Sequence, residues 1–341
     1  MFHNVLPFIL KIKSISFEPF NNSSPMKYIS TLVFYFCLIS FSFAQQKKVL
    51  VILVDGIPYD VIKKVKTPNI TKIAQKGALD KAYVGGEKGG KSESPTISAV
   101  GYNSMLTGTW ANKHNVWGNG IEAPNYNYPT FFKVVREAKP NLKLGIFSTW
   151  LDNRTKLLGE GLVATNNLHI DYKFDGYEKD TVAFPHDKNA LYIKNIDEHV
   201  TSMAVETIRE NAPDISWVYL EYTDDMGHRF GDSPEFYQSV ENMDRLVGKM
   251  YEAVQYREKN FKEDWLVIIT TDHGRDAKTG KNHGGQSDRE RETWIATNKK
   301  PKNSRFKNGL AVVDIFPSVC DFLQIEIPKS IKEYLEGISF F

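Results

Sequence analysis

The chain has 341 residues, 41% of them hydrophobic and 13% aromatic, which is enough for one large core or two modest ones and too apolar for a disordered chain. Its formal charge of +2 comes entirely from residues 1–44, where Lys11, Lys13 and Lys27 are opposed only by Glu18, so the remainder is formally neutral. A neutral body excludes a broad electrostatic face for nucleic acid or an anionic membrane, and any attraction for anions has to be local.

The first readable segment is MKYISTLVFYFCLISFSFAQQ from Met26. A basic residue, an apolar run from Thr31 to Phe43, and small residues Ser42 and Ala44 before Gln45 predict a secretory signal peptide cleaved after Ala44, and so an exported, periplasmic or extracellular protein. The run is shorter than the roughly 20 residues that span a bilayer, so no membrane span is expected after cleavage. Residues 1–25 would bury this signal inside a longer leader, which places the true start at Met26. Cys37 falls within the signal, and Cys320 alone cannot form an internal disulfide.

Residues 45–341 read as a single domain, since no repeat, low-complexity tract or linker divides them. KKVLVILVDG opens it with a continuous apolar run that suits a strand buried on both faces, ending at Asp55. GGEKGGKS at 85–92 matches the phosphate-binding loop pattern of nucleotidases literally, but ALDKAYV before it is a poor buried strand and Pro95 interrupts the helix required after it. ESPTISAVGYNSMLTGTW follows and offers the hydroxyls of Thr96, Ser98 and Ser104. LKLGIFSTW reads as a second strand, residues 166–189 as a loop insertion over the site, ISWVYLEYTDD as a third strand, and Pro234 to Glu258 as a long amphipathic helix. DWLVIITTDHG gives a fourth strand. Strands alternating with helices predict an α/β fold, a three-layer sandwich around a mostly parallel sheet.

In such a sheet the carboxylates of Asp55, Asp224 and Asp272 gather at the carboxyl edge. Asp224 and His228 form D-x-x-x-H, Asp272 and His273 are adjacent, and His283 lies in KNHGGQS. Carboxylates mixed with imidazoles suit zinc or a similar transition ion, and three of each suffice for two ions. A hydrolase of this kind needs a nucleophile, and Ser98 stands where a helix is expected to begin, with free N–H groups and the helix dipole favouring a phosphate.

These motifs, in this order, resemble the alkaline phosphatase superfamily, and within it the nucleotide pyrophosphatase/phosphodiesterase branch. The resemblance runs from VDG through a Ser/Thr ahead of SMLTGTWANKHNV, D-x-x-x-H, DHG and HGGQSDRERETWIA to AVVDIFPSVCDFL. It implies an alkaline-phosphatase-like fold with two zinc ions, one held by Asp224, His228 and His283, the other by Asp55, Asp272 and His273 with Ser98 beside it. Counting back from Thr107 places the nucleophile at Ser98 rather than Thr96. The family's Asn three residues after the nucleophile is Gly101 here, with Asn103 as the candidate replacement on a phosphate oxygen, and His114 is expected to be structural.

The resemblance implies hydrolysis of a phosphodiester or nucleotide pyrophosphate, a small-molecule substrate, through a phosphoseryl intermediate. A phosphomonoester is the alternative, and its extra negative oxygen would call for a cation from among Lys91, Arg154, Lys156, Arg275 and Arg289. A sulfatase of the same superfamily is disfavoured because AVGY after Ser98 lacks the motif ending in Arg around its modified residue. A phosphate-loop nucleotidase or an inactive metal-binding protein would leave the ligands or the nucleophile unexplained.

Overall fold

The apolar run that opens the described part of the chain forms strand β1 (Gln46–Val54), whose last seven residues are buried. The computed structural model describes residues 45–341, so the leader, the signal peptide, Met26 and Cys37 lie outside the described residues. The further strands are β2 (Ala78–Tyr83), β3 (Leu144–Ser148), β4 (Tyr172–Phe174), β5 (Ile215–Leu220), β6 (Glu263–Thr270) and β7 (Glu292–Thr297). They form one seven-stranded sheet in the order β2-β7-β6-β1-β5-β3-β4. β1 pairs in parallel with β5 and β6, and β3 with β5 and β4, while β7 runs antiparallel to both β6 and β2.

Alternation along β1 divides the core into two layers. Val49, Val51 and Leu53 face one cluster, and Leu50, Ile52 and Val54 the other. The first cluster is covered by helices α1 (Ser98–Thr107) and, near the end of the chain, Ile315–Phe322, whose Cys320 is buried and free. The second is covered by α2 (Leu191–Glu210), α3 (Tyr222–Phe230) and α4 (Pro234–Asn260), the last being the long helix expected from the sequence. Helix layers on both faces of a mostly parallel sheet make the three-layer α/β sandwich, and residues 45–341 form one compact unit.

Two segments differ from the sequence reading. Glu292–Thr297, where no strand was expected, forms β7 between β6 and β2, while ALDKAYV, read as a poor buried strand, forms only an edge strand that tolerates Asp80 and Lys81. Residues 166–189 are only partly loop, since Tyr172–Phe174 add β4 to the opposite edge.

Candidate active site

Three neighbouring parallel strands, β6, β1 and β5, end at one edge and deliver most of the site. Asp55 directly follows β1, and Asp272 and His273 follow β6. Asp224 is carried not by the end of β5 but by the first turn of α3, one helical turn before His228. That helix is fixed at its start by Asp197, whose buried carboxylate accepts from Glu221 N at 3.0 Å, Tyr222 N at 2.9 Å and Thr149 Oγ1 at 2.6 Å.

Asp55, Asp272 and His273 form a fully buried group. Asp55 Oδ2 accepts from the hydroxyls of Tyr102 and of Tyr219, the latter at 2.7 Å, and Asp272 Oδ1 accepts from Gly56 N at 3.1 Å. The second oxygen of each carboxylate has no hydrogen-bond partner. His273 Nδ1 donates to Gly274 O at 2.9 Å, which leaves the Nε2 lone pair facing those same oxygens, 3.4 Å from Asp55 Oδ1 and 3.1 Å from Asp272 Oδ2. Two partnerless carboxylate oxygens and an imidazole nitrogen converging in a buried group are what a bound cation would satisfy. Burial, then the charge of Asp224, pushes the Asp55 carboxyl up to about 7; burial and the charges of Asp55 and Asp224 raise Asp272 well above the carboxylate range. Burial, then His283, keeps His273 neutral, the form that ligates metal.

The second group is more open. His283 Nδ1 donates to Thr96 O at 2.8 Å, and its Nε2 lies 3.0 Å from His228 Nε2. His228 Nε2 is 3.2 Å from Asp224 Oδ2, and the side chain of His228 is 43% exposed. The His273 and His283 rings stack with centroids 3.7 Å apart, so the two groups adjoin. Asp224 stands between them: its ligand atoms lie within 4.8 Å of those of His228 and His283, and equally of those of Asp55 and His273. Burial works to raise the Asp224 carboxyl, but the His228 hydrogen bond and the Arg275 charge outweigh it and hold it well below the usual carboxylate range.

Ser98 is the first residue of α1, and Ile97 rather than Ser98 occupies the capping position. Its hydroxyl makes no capping bond and lies 3.3 Å from His273 Nε2. The Thr96 hydroxyl is engaged elsewhere, donating to Gly285 O at 2.9 Å and accepting from Gly284 N at 2.9 Å. Gly101 packs against the site so closely that a Cβ there would lie 2.7 Å from Asp272 O, which leaves no room for the Asn that the sequence comparison expects. Asn103 sits five residues beyond Ser98, about 140° around the helix, and among the described residues no hydrogen bond joins its side chain to the ligands. His114 is buried, held neutral by burial that lowers it to about 3, and bonded to Ser104 Oγ at 3.0 Å and Val116 N at 3.1 Å.

Four residues with a part in the site were not singled out for it in the sequence. Tyr102 shares the helical face of Ser98 one turn on, a spacing that was legible. Tyr219, Asn119 and the capping Asp197 come from distant segments. Asn119 Oδ1 accepts from Ala99 N at 3.0 Å, which places its carboxamide beside Ser98.

The loop at 85–92 does not cradle phosphate. Gly89 N donates to the Glu93 carboxylate at 2.5 Å and Glu87 N to Ser92 Oγ at 3.0 Å, and no helix begins between Ser92 and Ser98. Of the five cations considered for an extra phosphate oxygen, Lys91 is exposed and makes no ion pair among the described residues, Arg275 pairs with Asp224, and the other three are also engaged. Arg154 pairs with Asp175 and Glu160, Lys156 with Asp152, and Arg289 with Asp60 and Asp232.

Residues 49–336 match the family model described as type I phosphodiesterase/nucleotide pyrophosphatase. The human ectonucleotide pyrophosphatase/phosphodiesterase family member 7 is 26% identical over 242 residues, 67% of this chain and 48% of its own length, so the chain spans about half of that relative. Among solved structures, murine ectonucleotide pyrophosphatase/phosphodiesterase 5 in complex with AMP superposes with a TM-score of 0.57 at 15% identity, covering 83% of this chain and 96% of its own. A 2-O GAG sulfatase superposes with a TM-score of 0.62 at 14% identity, covering 86% of this chain and 73% of its own. At such identities these two structures share the fold.

Proposed function

Because the chain belongs to the type I phosphodiesterase/nucleotide pyrophosphatase family, we propose that it is an exported hydrolase of phosphodiesters or nucleotide pyrophosphates, with Ser98 as nucleophile and two divalent ions, zinc in the first instance. The apolar segment at 31–43 supports export. The observation that carries the reading is the Ser98 hydroxyl 3.3 Å from a His273 nitrogen that faces two partnerless carboxylate oxygens.

Asp55, Asp272 and His273 would hold one ion, and Asp224, His228 and His283 the other. Bound there, the ions would acidify the serine hydroxyl and offset charge on the phosphate and its leaving oxygen. Ser98 Oγ attacks phosphorus in line, its proton passes to solvent, and the bond from phosphorus to the leaving oxygen breaks. The seryl phosphoester is then cleaved by water, which restores the hydroxyl. Asn119, anchored by Ala99 N, keeps its amide N–H groups for a phosphate oxygen as charge builds there.

Two ester substituents leave a diester with one negative oxygen fewer than a monoester. The engaged state of Arg154, Lys156, Arg275 and Arg289 supports the diester, since of the five candidate cations it leaves only the exposed Lys91 unpaired. Hydrolysis of bis-p-nitrophenyl phosphate and p-nitrophenyl phosphate by the zinc-loaded protein tests this. The diester is expected to be cleaved with the higher kcat/KM, and a monoester preference would reverse the assignment.

A further inference from the structure

Arg275 is fully buried, and all five N–H groups of its guanidinium are taken. Nε donates to Gly56 O at 2.9 Å, and Nη1 to Lys281 O at 3.0 Å and Gly280 O at 3.5 Å. Nη2 donates to Asp224 O at 2.7 Å and to Asp224 Oδ1. Two glycines make the space. A Cβ on Gly227 would run into the guanidinium, and one on Gly56 would meet Asp224 Oδ1 and lie 2.9 Å from Nη2. The turn after β1, helix α3 and the loop after β6 are thus shaped around a cation whose ion-pair partner is a metal-ligand carboxylate. With no N–H left over, Arg275 cannot bind substrate, so its effect is on Asp224.

The two ligand groups therefore meet an ion on different terms. Asp55 Oδ1 and Asp272 Oδ2 are buried and partnerless. Asp224 is already shared with a guanidinium, and its partner His228 is half open to water. A carboxylate neutralised in this way attracts a dication less, and the guanidinium itself repels one at short range where the effective dielectric is low.

We infer that Arg275 makes the centre unequal: the ion at Asp55, Asp272 and His273 is retained, while the ion at Asp224, His228 and His283 is held weakly and exchanges. This rests on the two-ion reading of the site. The test is a zinc titration of the metal-free protein against a chromophoric chelator, with folding followed by circular dichroism. Two steps are expected, at least about tenfold apart in affinity, and His283→Ala should remove only the weaker one. Arg275→Gln should tighten the weaker step by about tenfold or more and leave the stronger one in place. If Arg275→Gln does not fold, Arg275→Lys, which keeps the charge, should leave the weaker step within about threefold of the wild type.

Two equal steps, an unchanged or weakened second step in folded Arg275→Gln, or a tenfold tightening in Arg275→Lys would each overturn the inference. Failure to bind zinc at all would instead overturn the two-ion reading beneath it.

Discussion

Tyr102→Phe and Tyr219→Phe each remove one hydroxyl from the inner ligand group while keeping the buried ring. Both hydroxyls point at Asp55 Oδ2 and lie 2.9 Å from each other, and together they turn Asp55 so that Oδ1 faces His273. A hydrogen bond to a charged acceptor is worth about 1.5–3 kcal/mol, and loss of such support behind a metal ligand costs about 10- to 100-fold in metal affinity. Each single variant is therefore expected to weaken the tighter zinc step by about 10- to 100-fold and to leave the weaker step alone. Because the two hydroxyls serve the same oxygen, the double variant should depart from the sum of the singles. Chelator competition on metal-free protein reads both steps. If both single variants bind both ions as the wild type does, the tyrosines are only packing and the account of how Asp55 is aimed is wrong.

The raised pKa of Asp55, about 7 in the metal-free protein, sets a pH dependence for the same step. Below that pH the carboxyl carries a proton that zinc must displace, so affinity should fall about tenfold per unit as the pH drops through 6 and 5, for each proton displaced. An affinity that rises on acidification would contradict this sign. Gly101→Asn restores the residue expected from the family pattern but drives a side chain into the backbone of Asp272. It should lower stability to chemical denaturation by about 1–3 kcal/mol and weaken the tight zinc step, without raising turnover.

What the sequence made legible were features with a local signature. The runs ending at Asp55 and before Asp272 are continuous and apolar because their strands are buried on both faces, and the long helix from Pro234 shows its period over many turns. Of the seven proposed site residues, Asp55, Asp272 and His273 follow such runs, while Asp224 and His228 lie on α3, Ser98 begins α1 and His283 lies in a loop. β4 escaped because a short edge strand buries too little to show a pattern, and β7 because its six residues, Glu292–Thr297, hold only a three-residue apolar run. Tyr219 and Asn119 were illegible for another reason, since each acts through a single contact across the fold, at Asp55 and at Ala99. Arg275 was visible only as one cation among five. Its occupation depends on Gly56 and Gly227, which lie 219 and 48 residues away from it.

The role of Ser98 is tested most directly by rapid acid quench of the zinc-loaded protein turning over a diester, followed by peptide mass spectrometry, in the wild type and in Ser98→Ala. In the wild type Ser98 is expected to carry a phosphoryl group that still bears the diester's second substituent, and in Ser98→Ala the zinc content is expected to be unchanged with turnover lowered by at least about a thousandfold. Full turnover in Ser98→Ala, or an adduct on Thr96, would contradict that role.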